Sequence, residues 1–159
     1  MTMTKLRELL ENGHYPAAKN VAEKALQFDP DNALLNYYAA WSCDGLSLEN
    51  AAIPYYEKAL VLGLPPEDLA DAYIGLGSTY RAVGNYEKAG ETFQKAQTDF
   101  PENKAIAVFA SMALYNAKNY KNAMQLAIKI IGETSNDPTI VAYKKAILNY
   151  AGDLDATWN

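Results

Sequence analysis

Small side chains recur through this chain at nearly one fixed period, and that periodicity constrains the fold more than any other feature. Ala18, Ala52, Ala89 and Ala123 are separated by 34, 37 and 34 residues. Seven residues beyond each stand Ala25, Ala59, Ala96 and Ile130. Pro30, Pro65 and Pro101 close three units, and Pro138 follows a longer final link. Gly13-His14-Tyr15, Gly84-Asn85-Tyr86 and Lys118-Asn119-Tyr120 each precede one of the small residues. The extra residues of the middle interval fall in Gly63-Leu64-Pro65-Pro66-Glu67-Asp68, turn chemistry that absorbs them. Two helices joined by a short turn cross closely only where a small side chain sits at the contact. A proline after the second helix stops it.

The third unit carries the pattern most fully. Tyr73-Ile74-Gly75-Leu76-Gly77-Ser78-Thr79-Tyr80, followed by Ala89, Phe93, Ala96 and Pro101, resembles the tetratricopeptide repeat. The resemblance covers roughly residues 2–135. The second unit departs most: Asn36, Ala39, Ala40 and Cys43 stand where Trp or Tyr, Leu, Gly and Tyr are expected, which leaves the register of its first helix open. The resemblance implies an all-α fold, a right-handed α-α superhelix of about four helix-turn-helix repeats with a C-terminal capping helix. The repeats fall at 2–31, 32–66, 67–102 and 103–136, the cap at 138–151, within one domain over 1–152, followed by a tail at 153–159.

Nine helices are expected, paired as 2–12 with 15–28, 32–44 with 48–62, 67–83 with 86–99 and 103–117 with 120–132, then 138–151. Pro16 suits a first helical turn. Pro54 falls inside a helix, where it removes a hydrogen bond, unless that helix begins near Asn50. Ile140, Tyr143, Ile147 and Tyr150 share one face of the cap, which would cover the open end of the stack. The tail is expected to fray. Trp158 within it is either folded back on the cap or an anchor for a partner or a second copy of the chain.

In the family resembled here, the first helix of each pair lines a concave groove. Counting back from the alanines, the lining positions are Met3, Arg7 and Leu10; Leu34, Tyr37, Trp41 and Asp44; Asp71, Ile74, Ser78 and Arg81; Ala105, Val108, Met112 and Tyr115. The set is apolar and aromatic for a surface, and such patches mark interaction sites. The alternative for Tyr37 and Trp41 is burial, in place of the missing packing residues of their unit. Val108 and Met112 would alternatively meet the capping helix, which would then fill the groove. Arg7 and Arg81 are the chain's two arginines and both map to the groove, where they would orient an acidic group of a peptide. The competing reading pairs Arg7 with Glu11 or Asp44, and Arg81 with Glu87. Some members of the family grip acidic chaperone tails through Lys, Asn and Arg. Here Met3, Arg7, Tyr38, Leu34, Asp71 and Gly75 occupy those places, and the lone match, Arg7, argues against that clamp.

Catalytic chemistry has little to work with. His14 is the sole histidine and sits in a turn; Cys43 is the sole cysteine and falls at a packing position. Neither a multi-histidine nor a multi-cysteine metal site can form. Gly75-Leu76-Gly77 lies within a helix, so it is no phosphate loop. Glu67 and Asp68 suit a helix N-terminus. No catalytic, metal or cofactor residue is therefore expected, and the chain reads as no enzyme. A net charge of −5 disfavours nucleic acid and anionic membranes. No apolar run is long enough to span a bilayer, the N-terminus does not read as a signal peptide, and a cytoplasmic location is expected. The function expected is protein binding, with a peptide or partner helix in the groove. The alternatives are a homodimer formed through the convex face or the tail, and an accessory or regulatory subunit of an enzyme.

Overall fold

The computed structural model describes residues 2–158. Its described residues form ten helices and no strand. They are α1 (Met3–Glu11), α2 (Tyr15–Leu26), α3 (Ala33–Gly45), α4 (Glu49–Leu62), α5 (Pro66–Ala82), α6 (Tyr86–Asp99), α7 (Lys104–Asn116), α8 (Tyr120–Thr134), α9 (Pro138–Ala142) and α10 (Lys144–Gly152). Two compact units divide the chain, Met1–Asn85 and Tyr86–Asn159.

One hydrogen-bonded turn recurs in every hairpin. His14, Leu48, Asn85 and Asn119 donate their amides to the carbonyls five residues back, on Leu9, Cys43, Tyr80 and Leu114. Gly13, Ser47, Gly84 and Lys118 donate to carbonyls three residues back and have φ of 74°, 56°, 79° and 63°. This pairing satisfies the last carbonyls of a helix and requires a left-handed residue. The four left-handed positions carry the same spacing as the alanines. The sequence showed three of them. The second turn, Ser47-Leu48-Glu49, contains no glycine or asparagine to mark it.

Within Met1–Asn85, α1 packs on α2, α2 on α3, α3 on α4 and α4 on α5, while the first helices also meet, α1 with α3 and α3 with α5. Ala18, Ala22, Ala52 and Ala59 are fully buried at these crossings, as close helix approach demands. Two glycines accept aromatic rings. A Cβ at Gly45 would sit 2.5 Å from the Tyr15 ring, and one at Gly75 would overlap the Tyr56 hydroxyl. Thr2 and Asn32 cap α1 and α3 by accepting the amides of Lys5 at 3.3 Å and Leu35 at 3.0 Å. Asn36, at a position where an aromatic was expected, is buried and donates to the carbonyls of Pro30 at 3.0 Å and Asn32 at 2.8 Å. It ties the inter-repeat turn instead of filling a core. Pro54 does lie inside α4, and the carbonyl it leaves unpaired belongs to the exposed residue Asn50.

Within Tyr86–Asn159, α6 packs on α7, α7 on α8 and α8 on α10. Phe93 and Phe109 stack at 6.3 Å over Ala110 and Ala113. Asn103 and Asp137 cap α7 and α9. The expected single capping helix is instead two, broken at Tyr143 (φ −106°, ψ 8°). The break changes the phase of the apolar face. Tyr143 and Tyr150 are 68% and 52% exposed, while Ile147 and Leu148 approach Gly132 of α8, where a Cβ would lie 3.1 and 2.9 Å from them. The tail is not frayed at its start: Lys121 Nζ reaches Asp153 and Asp155, each at 2.7 Å, and Gln125 Nε2 donates to the Gly152 carbonyl at 3.1 Å. Trp158 packs edge-on against Tyr150 at 5.5 Å yet stays 64% exposed. Among the described residues, no helix is long and apolar enough to cross a membrane.

Candidate functional site

The first helices of Met1–Asn85 bring an aromatic cluster and a set of carboxylates together. α3 is apolar around most of its circumference, and eight of its residues are buried. Tyr37 lies at its centre, 5% exposed, with ring contacts to Tyr38 at 5.6 Å, Trp41 at 6.0 Å and Tyr56 at 6.2 Å. This corrects the expectation of Tyr37 as a contact surface. The alternative of burial is the one observed, the ring being enclosed by those three aromatics. Trp41 remains half-buried, as do Ile74, Ser78 and Arg81 on α5. Ser78 Oγ is buried without a hydrogen-bond partner among the described residues.

Arg7 pairs with neither expected carboxylate. Its Nε donates to the Tyr38 hydroxyl at 2.9 Å, its Nη2 binds Asp68 Oδ1, and the guanidinium lies 5.7 Å from the Tyr38 ring centre. The hydrogen bond to Tyr38, reinforced by the Asp68 carboxylate, outweighs burial and holds the guanidinium proton more tightly than usual. Asp68 is buried in the first turn of α5, so it both complements the helix N-terminus and clasps α1. A guanidinium already bound through two of its nitrogens is poorly placed to orient a ligand's acid.

At the other end of the cluster, Asp44 Oδ2 accepts from the Tyr56 hydroxyl at 2.7 Å and Oδ1 from Thr79 at 2.8 Å. Thr79 Oγ1 also lies 2.8 Å from the Gly75 carbonyl, so its single proton is shared between the two acceptors, and the bare face of Gly75 is what admits Tyr56. Burial pushes the Asp44 carboxyl above the usual range, the two hydroxyls oppose that, and Glu49 adds to it. Tyr56 and Tyr37 hold their phenolic protons more tightly than usual, chiefly through burial and then through Asp44 in one case and Asp71 and Asp68 in the other. Asp71 is exposed. The sequence placed Asp44 and Asp71 among the lining positions, but nothing in it linked Asp44 to Tyr56 or Thr79.

In Tyr86–Asn159 the strip on α7 is open. Val108, Met112 and Tyr115 are 37%, 38% and 62% exposed, at spacings that align them on one helix face. The cap packs on α8 through Ile147 and Leu148. Tyr115 meets Tyr120 edge-on at 5.1 Å. A cleft of about 360 Å³ lies between α6 and α7, its lining including Phe93, Gln94, Gln97, Ala110, Ala113 and Leu114. His14 is exposed in its turn, and the buried Cys43 thiol is pushed up by desolvation, which makes it inert.

Compared with known protein families, the chain matches the model described as tetratrico peptide repeat over residues 33–154. No curated protein matches it. The first hairpin lies outside that match, yet its turn has the same hydrogen bonds and the same left-handed residue as the other three.

Proposed function

This chain belongs to the tetratricopeptide repeat family, whose repeats serve protein–protein interaction, and from that premise we propose that it is a non-catalytic module binding a peptide or partner helix along the faces of its first helices. The observation that carries the reading is the exposed apolar strip of Val108, Met112 and Tyr115 on α7. A partly exposed apolar strip of this kind offers area to a partner. Trp41 and Ile74 offer further area in Met1–Asn85, and Ser78 and Arg81 stand beside them. A protein partner fits better than nucleic acid, because acidic side chains outnumber basic ones.

The test is capture of a partner from native lysate by wild type, by Met112→Ala/Tyr115→Ala and by Trp41→Ala/Arg81→Ala, with folding checked by circular dichroism. Loss of the partner in at least one of the folded variants is expected. Equal capture by all three refutes binding through these faces.

A second reading is favoured by a separate observation. Tyr143, Tyr150 and Trp158 expose 68%, 52% and 64% of their surface at the C-terminal end. Such an aromatic patch suits self-association or a seat on a larger enzyme. Light scattering of the full chain and of a chain ending at Gly152 decides the first of these: a monomer in both cases removes it.

A further inference from the structure

Charge is distributed unevenly among the helices of Met1–Asn85, which holds six basic and eleven acidic side chains against eight and eight in Tyr86–Asn159. Within the acidic unit, the second helices are balanced: Lys19, Lys24 and Lys58 stand against Glu23, Glu49 and Glu57. The first helices are not. They carry Lys5, Arg7 and Arg81 against Glu8, Glu11, Asp44, Glu67, Asp68 and Asp71. Lys5 is bound to Glu8 and Arg7 to Asp68. Asp44 has no cation bonded to it among the described residues; its partners are two neutral hydroxyls.

A carboxylate has about four lone-pair sites, and the hydroxyls of Tyr56 and Thr79 occupy two of those on Asp44. Asp44 follows Trp41 by three residues on α3, which puts the two on one helix face, and the indole ring attracts cations and accepts an aliphatic stem. Asp71 is exposed on α5 three residues before Ile74, which puts a second carboxylate on the same helix face as that side chain.

We propose that this face takes a basic segment of a protein partner, with a Lys or Arg side chain bonded to Asp44, its stem over Trp41 and Ile74, and a second cation at Asp71. This rests on the reading of the first-helix faces as the binding surface, and names the partner's chemistry there. It reverses the sign expected from Arg7 and Arg81. Arg7 is consumed by Asp68 and Tyr38, so the acid excess of the first helices sets the polarity. The role of Tyr56 and Thr79 is to hold Asp44 in one orientation, which limits the entropy lost when a cation arrives.

The experiment displays a random-peptide library on phage to the full chain and synthesises the selected peptides. Their affinities are then measured for wild type, Asp44→Asn, Asp71→Asn and Trp41→Ala. Selected peptides rich in Lys and Arg are expected, weakened at least about tenfold by Asp44→Asn and by raised ionic strength. The exposed Asp71→Asn is expected to cost only a few-fold. Asparagine is isosteric, and circular dichroism verifies the fold. Selection of Asp- and Glu-rich peptides overturns the proposal. Peptides lost in Trp41→Ala but unchanged in Asp44→Asn overturn the charge assignment and leave the face standing. Peptides indifferent to all three variants overturn both.

Discussion

Replacing Lys118 with glycine is expected to stabilise the chain, although it deletes a side chain from a surface turn. Lys118 has φ of 63°, a left-handed conformation that its hydrogen bond to Tyr115 and that of Asn119 to Leu114 require. An L-residue there costs roughly 1–2 kcal/mol, because Cβ crowds the following carbonyl. Glycine removes that cost but loses about 0.5–1 kcal/mol more chain entropy on folding. The net gain is about 0.5–1 kcal/mol. Ser47, φ 56°, stands at the equivalent place and is also exposed, so Ser47→Gly is expected to give the same. The two changes lie in different turns and add to about 1–2 kcal/mol. At this chain size each kcal/mol raises the melting temperature by roughly 2–4 °C. The matched control is Gly84→Ala. Its φ is 79° and a Cβ there meets nothing within 4 Å, so its loss of about 1 kcal/mol is backbone strain alone. Thermal melts by circular dichroism, with urea unfolding as a second measure, read all three. The reasoning fails if both glycine substitutions leave stability unchanged or lower it, or if Gly84→Ala is neutral.

Gly75→Ala is expected to cost about 2–3 kcal/mol, because the new Cβ displaces the Tyr56 hydroxyl and with it a bond to Asp44; Tyr56→Phe in the same background should recover part of the loss, and a neutral Gly75→Ala melt would contradict the packing. Asp68→Asn is expected to lower stability by about 1–2 kcal/mol. The carboxylate is 7% exposed, but the Arg7 side chain is 38% exposed and water screens the pair; urea midpoints check this. Asp44 is expected to titrate above the usual carboxylate range in a carbon-detected NMR titration, and higher still in Tyr56→Phe, where a bond to the charged form is lost. Folding then favours the protonated acid. The stability linked to Asp44 is present below the ordinary carboxylate pKa and lost as pH rises through the folded value. A midpoint at or below the usual range counts against the burial of that carboxylate.

Much of the hairpin architecture was legible because it rests on local chemistry. Ala18, Ala52 and Ala89 are small where helices must cross, Gly13 and Gly84 are glycine where the chain turns left-handed, and the prolines stand where helices end. Each constraint acts within a few residues, so it leaves a mark that counting finds. The turn at Ser47 left none, because there a serine bears the strain and the surrounding helices enforce it. The break at Tyr143 was equally silent, and a 3-4-3 spacing across it grouped residues that the bent backbone separates.

The candidate face divides along the same line. Residue spacing placed Val108, Met112 and Tyr115 on one side of a helix, since 3.6 residues per turn is a property of the backbone alone. It could not orient α3, where apolar residues surround the helix and no polar stripe marks the outside, so the burial of Tyr37 was settled by its neighbours Tyr38 and Tyr56. Nor could it pair Arg7 with Asp68, 61 residues away, or Asp44 with Thr79. The sequence by itself determined the repeat, its period and its turns, because those are short-range steric demands. Only the tertiary structure decided which charges are cancelled and which remain, because charge pairing depends on distances that the stacking of helices creates.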